Sequence, residues 1–181
     1  LLAEFGNRYL AALHQKAMML RGEQRHALDR KIEALKRMIA YCRSVPARWS
    51  DYDRLAKTTV GGWGVHAAVL DIDIGPLLQV QKLANSVHFA RAKGYTAPLS
   101  AAELELMNLT GDGTGFDMVT MPQSFREQVP TSNFFQRSGY ERNPVAIRHN
   151  TVAKLLAVTD ARMDANSNQP GAKELAAAFQ N

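Results

Sequence analysis

The chain has 181 residues, 46% of them apolar and 22% charged, with a formal net charge of +5. That is enough sequence for one well-buried core, and its balance lies far from disordered or collagen-like composition. No apolar run nears the roughly 20 residues that a membrane-crossing helix needs, the start lacks the order of a signal peptide, and one cysteine without a Cys–His framework excludes an internal disulfide and a zinc motif.

The chain reads as a single soluble helical domain over residues 1–181. Its start at Leu1 rather than Met suggests a processed or secreted product, or a piece of a larger protein.

In the first segment Leu2, Phe5, Tyr9, Leu13, Ala17 and Leu20 recur at helical spacing, which predicts an amphipathic helix of about five turns. In the second, Leu28, Ile32, Leu35, Ile39 and Cys42 follow at steps of four, three, four and three. Such a stripe must be buried, and the first helix is its natural partner. Between them Arg21-Gly22 admits two readings: a break that folds the pair into an αα-hairpin, or a glycine tolerated inside one long rod. The hairpin is preferred, because a rod of some forty residues lies far outside ordinary helix length. Pro46 ends the second helix and biases Val45 toward extended angles.

A short helix capped by Ser50 is expected next, with Leu55 buried, followed by the glycine-rich run 58–64 around Trp63, read as a connection with one core aromatic. Residues 66–74 alternate with period two: Ala68, Leu70, Ile72 and Ile74 face one way, Asp71 and Asp73 the other, which predicts a strand with two solvent-facing carboxylates. On a strand His66 lies on the face opposite those aspartates, so the three do not converge. Gly75-Pro76 opens a helix with Leu77, Val80, Ala84 and Val87 inward, running to Gly94. Ser100 and Glu103 form a capping box, with Leu99 and Leu104 at staple positions, so another helix starts at Ala101 and ends near Leu109.

Residues 110–143 change in character. Gly111-Asp112-Gly113-Thr114-Gly115 reads as a tight turn, with an anion nest of backbone N–H groups as its chemical alternative. Neither the P-loop lysine nor a dinucleotide or calcium-loop spacing accompanies it. Residues 116–121 read as a second short strand, and a short helix is expected around Ser132–Ser138, stopped by Gly139. Asn143-Pro144 then caps one continuous helix that buries Val145, Val152, Leu155, Leu156 and Met163 and fades at Asn166. A last helix from Pro170 to Phe179 completes the chain.

The expected fold is therefore mainly α: a helical bundle on an N-terminal αα-hairpin, with at most a small two-stranded β patch. Chemistry is harder to find. Cys42 near a helix C-terminus is disfavoured as a thiolate by the dipole, which argues against a Cys–His pair with His149 or His66. The basic stretch Arg21–Arg43 alternates with Glu23, Asp29 and Glu33 and reads as a solvated face.

The most suggestive cluster is Arg126, Glu127, Asn133, Arg137, Tyr140, Glu141, Arg142 and His149, polar and aromatic groups on an irregular segment over a helical scaffold. The leading expectation is a non-enzymatic interaction or assembly module that meets a protein or anionic partner through the 110–143 segment and a basic helix face. Arg126, Asn133, Arg137, Tyr140 and Arg142 would make the contacts. The alternative is a hydrolase on an anionic polymer such as cell wall, with Glu127 or Glu141 as general acid or base and His149 in support. His149 also reads simply as a border of the apolar stripe. Nucleic-acid binding is a weaker third reading, and no cofactor or metal is expected.

Overall fold

The computed structural model of the chain describes residues 1–45 and 65–173, and the side chains of 65–67 are outside that description. The Ser50 helix, the 58–64 run with Trp63, the His66 ring and the later turns of the 170–179 helix therefore lie outside the described residues. Among the described residues the chain is helical, without a strand, and the fold is the expected mainly α one with an αα-hairpin at its start. They group into two compact units, Leu1–Lys82 and Leu83–Asn181.

In the first unit, α1 (Leu2–Met19) and α2 (Gly22–Ser44) pack along their lengths. The chain turns because Leu20 and Arg21 adopt extended angles and Gly22 takes a φ of 58°, a left-handed value that suits glycine. Both stripes are buried as their spacing requires. Leu2, Tyr9, Leu13 and Ala17 meet Leu28, Ile32, Leu35, Met38 and Ile39, with Phe5, Leu20 and Cys42 at the margin. Each fully buried large side chain contributes roughly 1.5–3 kcal/mol of transfer free energy, so the two stripes together are the main source of stability in the unit. Val45 caps α2 in an extended conformation.

The expected strand over 66–74 is not formed. Its place is taken by a short helix, α3 (Val65–Leu70), a turn, and the start of α4 (Gly75–Ala92). Ala68 and Ile74 enter the core, but Leu70 and Ile72 are 89% and 84% exposed, so the alternation does not mark a buried face. The turn wins because Asp71 serves as a side-chain cap: its carboxylate accepts from the backbone N–H groups of Asp73 (2.9 Å) and Ile74 (3.1 Å). Gly75 is required here, since a Cβ would collide with the Val69 carbonyl oxygen.

Nor do the two aspartates point freely into solvent. Lys31 Nζ pairs with Asp71 at 2.9 Å and also with Asp73, while Lys16 Nζ reaches Asp73 at 2.6 Å. Burial works to raise the Asp73 pKa, but the hydrogen bonds from Lys16 and Lys31 outweigh it and hold the carboxyl below its ordinary range.

In the second unit α4 ends in a Schellman motif: Gly94, at φ 83°, donates to Arg91 and Tyr95 donates back to Ala90. The expected inner face of this helix is out of phase. Leu78, Ser86 and Ala90 are buried while Val80 is 61% exposed, because the polar Ser86 belongs to the inner face and donates to Asp112 Oδ1 at 2.6 Å. The Ser100–Glu103 capping box forms as expected, with both reciprocal bonds, and starts α5 (Ala101–Thr110).

The glycine-rich segment is not a loop, and 116–121 is not a strand. Both fall in α6 (Asp112–Thr120) and its flanking caps Gly111 and Met121, and the buried residues Gly115, Met118 and Val119 follow helical spacing. Gly115 explains why glycine appears inside a helix: a Cβ there would lie 2.5 Å from Met107 Cα, so its absence lets α6 fold directly onto α5. That contact offsets the ~1 kcal/mol propensity cost of glycine. The N–H of Gly115 bonds the Gly111 carbonyl, and the Asp112 carboxylate sits at the positive helix end where a nest would hold an anion.

After α6 come α7 (Gln123–Arg126), a 3₁₀ turn (Thr131–Asn133), α8 (Arg137–Glu141), α9 (Pro144–Arg148) and α10 (Val152–Ser167). The helix expected around Ser132–Ser138 is thus split between the 3₁₀ turn and α8, and Gly139 lies within α8 rather than ending it. The continuous helix expected after Asn143 is likewise two. Asn143 caps α9 by accepting from Ala146 N at 3.0 Å, and Thr151 then caps α10. The break between them is stabilised by backbone pairing with an earlier segment: Thr131 N donates to Asn150 O and Val152 N to Val129 O. Leu106, Met107, Met118, Val119, Ala146, Val152 and Leu155 form the core of this unit.

Candidate functional site

Most of the polar residues expected to bind a partner already have partners within the chain. Arg126 donates to the carbonyls of Val119 (2.6 Å) and Met121 (3.1 Å), so it closes the C-terminus of α6, where a cation also suits the dipole. It also borders a cleft whose lining includes Glu103 and Asp160. Arg137 is paired with Glu141 at 2.9 Å on the surface of α8, and Arg142 Nε donates to Ser138 O at 2.9 Å. Tyr140 lies against Phe135, with ring centroids 5.9 Å apart, and its hydroxyl stands 3.5 Å from Thr131 Oγ1. Asn133 is exposed on the 3₁₀ turn, and Glu127 is exposed at the end of α7.

His149 is placed differently. It ends α9, with its N–H bonded to Val145 O at 2.9 Å, and borders a cleft of about 340 Å³. The other lining residues are Pro144, Val145, Arg148, Val158 and Arg162. Two arginines and a histidine thus surround a small apolar floor with no carboxylate among the described lining residues. Neither Glu127 nor Glu141 belongs to that lining, and the Glu141 carboxylate is engaged by Arg137. Among the described residues Arg148 and Arg162 make no ion pair or side-chain hydrogen bond.

Arg148 and Arg162 did not stand out in the sequence. Val158 and Arg162, four residues apart, share a helix face, but their sharing a cleft with Arg148 depends on the break at 149–150 that separates α9 from α10. Guanidinium groups are charged at every physiological pH and match carboxylate or phosphate oxygens two at a time. The arrangement is suited to holding an anionic group against an apolar surface.

Elsewhere, α2 carries a shallow groove lined by His26, Asp29, Arg30, Glu33 and Arg37. Its signs are mixed, and the neighbouring Arg25–Asp29 (3.6 Å) and Glu33–Lys36 (2.6 Å) pairs make it a salt-bridged face. Burial pushes the half-buried Cys42 thiol up, which leaves it a poor nucleophile. Among the described residues no group of three His, Cys, Asp or Glu side chains could hold a metal ion, and no helix is long and apolar enough to cross a membrane. No protein-family model, curated protein or solved structure matches the chain.

Proposed function

We propose that the protein is a non-enzymatic interaction module whose second unit binds an anionic partner at the Arg148–His149–Arg162 cleft. One observation supports the reading above the others: two arginines without partners among the described residues flank an apolar floor, whereas Arg126, Arg137 and Arg142 are engaged by backbone carbonyls or by Glu141. Arginines lining one cleft repel one another, and a carboxylate or phosphate entering it relieves that repulsion while gaining charge-assisted hydrogen bonds. Val145 and Val158 add apolar contact beneath it. The hydrolytic alternative needs Glu127 or Glu141 beside His149, and no observation favours that meeting.

The test is fluorescence anisotropy of a labelled acidic peptide titrated with the full chain. Arg148→Glu combined with Arg162→Glu is expected to weaken binding by roughly tenfold or more, while Arg137→Ala with Arg142→Ala leaves it nearly unchanged. Affinity should fall as salt rises. Unchanged binding in the charge-reversed variant removes the reading.

A further inference from the structure

Beside the cationic cleft lies a second one, of about 240 Å³, and the two share Val145 and Arg162. Glu105 of α5 lines it together with Leu155, Thr159 and Met163 of α10. Glu105 and Arg162 line the same cleft without forming an ion pair, and among the described residues neither has another side-chain partner. Thr159 is buried and its hydroxyl is used within α10, donating to Leu155 O at 2.7 Å. The cleft lined by Arg148 and His149 therefore adjoins one lined by Glu105, with Arg162 and Val145 common to both.

That juxtaposition of opposite charges selects among anionic partners. A polyanion laid along the trough would gain at Arg148 and lose at Glu105, because like charges brought together out of bulk water repel. A peptide with an acidic and a basic side chain a few residues apart satisfies both ends, and an intervening apolar residue meets Val145 and Met163. At about 240 Å³ the second cleft is below the roughly 300–1,000 Å³ range of drug-sized ligand sites, so it suits one side chain rather than a larger group. We infer that the partner is an extended peptide segment carrying one acidic and one basic residue, laid across the two clefts that meet at Val145 and Arg162, and not a uniform polyanion. This rests on the proposed use of the cationic cleft and adds Glu105 to it as the residue that sets specificity.

The test uses the full chain and three labelled probes: mixed-charge peptides that vary the separation of the acidic and basic residues, the same peptides with the basic residue changed to Glu, and an oligothymidine strand. The best mixed-charge peptide is expected to bind about tenfold or more tightly than its all-acidic counterpart and than the oligothymidine. Glu105→Lys should reverse the preference between the two peptides, and Glu105→Gln should erase it. Arg148→Glu should weaken both. If Arg148→Glu weakens no probe, the anion-cleft reading itself fails. If it weakens them all but the all-acidic peptide or the oligothymidine binds as well as the mixed one, or Glu105→Lys changes nothing, the cleft stands and the inference is overturned. Circular dichroism of each variant shows whether the fold is retained, and Glu105→Gln, the smallest change, keeps the test decisive if Glu105→Lys disturbs the helix.

Discussion

In the Leu1–Lys82 unit, helices of 18 and 23 residues bury continuous apolar stripes against each other. In the Leu83–Asn181 unit, four of the elements that precede the 16-residue α10 are only three to five residues long. A helix of one turn has too few intrahelical bonds to be stable by itself and must be held by what surrounds it. Here the holding is done by side chains bonded to backbone: Arg126 on Val119 and Met121, Thr131 on Ala146, Asn143 on Ala146. The first unit is thus specified mainly by repeated weak contacts, and the second by single polar bonds at irregular places.

The contrast can be broken by substitution. The largest effect is expected at Leu35, which is fully buried in the hairpin, where Leu35→Ala should cost about 2–5 kcal/mol in urea unfolding. Thr131→Val in the second unit keeps the shape but leaves the buried Ala146 carbonyl without its 3.0 Å donor, and about 1–3 kcal/mol should be lost in the same measurement. A Thr131→Val protein as stable as the parent would refute the idea that single bonds specify this region.

The charge cluster of the first unit adds a pH dependence. Because the folded Asp73 pKa lies below its unfolded value, its contribution is present above that unfolded value, about 3.9, and is lost as pH falls through the folded one. Lys31 has the opposite sign. Burial tends to lower its pKa, yet hydrogen bonds to Asp71 and Asp73 raise it, so its contribution is complete below about 10.4 and disappears as pH rises through the folded value. Urea midpoints measured from pH 2 to 6 should therefore fall less steeply on acidification in Asp73→Asn than in the parent.

The smallest effect is expected at Tyr9, whose buried hydroxyl has no hydrogen-bond partner among the described residues. Tyr9→Phe removes a desolvated polar group without changing shape, and its unfolding free energy should match or exceed that of the parent by up to about 1 kcal/mol. A marked loss would show that the hydroxyl has a partner in the folded protein.

What the sequence made legible follows the same division. The hairpin stripes, the Gly22 break, the extended Val45, the Gly94 stop and the Ser100–Glu103 box could all be read, because each depends on residues within a few positions of one another. The α6 helix could not, since glycines at 113 and 115 look like a turn until Met107 is known to lie against Gly115. The turn at Asp71–Ile74 was hidden for a related reason: alternating apolar residues resemble a strand, and Lys16 and Lys31 are distant in the chain. At the candidate cleft His149 drew attention as a histidine on an irregular segment, whereas Arg148 and Arg162 gain meaning only when α9 and α10 are two helices rather than one.

The paired backbone bonds joining Val129–Thr131 to Asn150–Val152 also cinch the chain into a ring that contains the 3₁₀ turn, α8 and α9. With its neck fastened, such a ring can tolerate a cut or an inserted residue on its outer rim while both ends stay anchored. The fastening matters to the rest of the unit as well: it lies at the corner between α9 and α10, the helices that bring Arg148 and Arg162 to one cleft, so loosening it is expected to disturb that cleft.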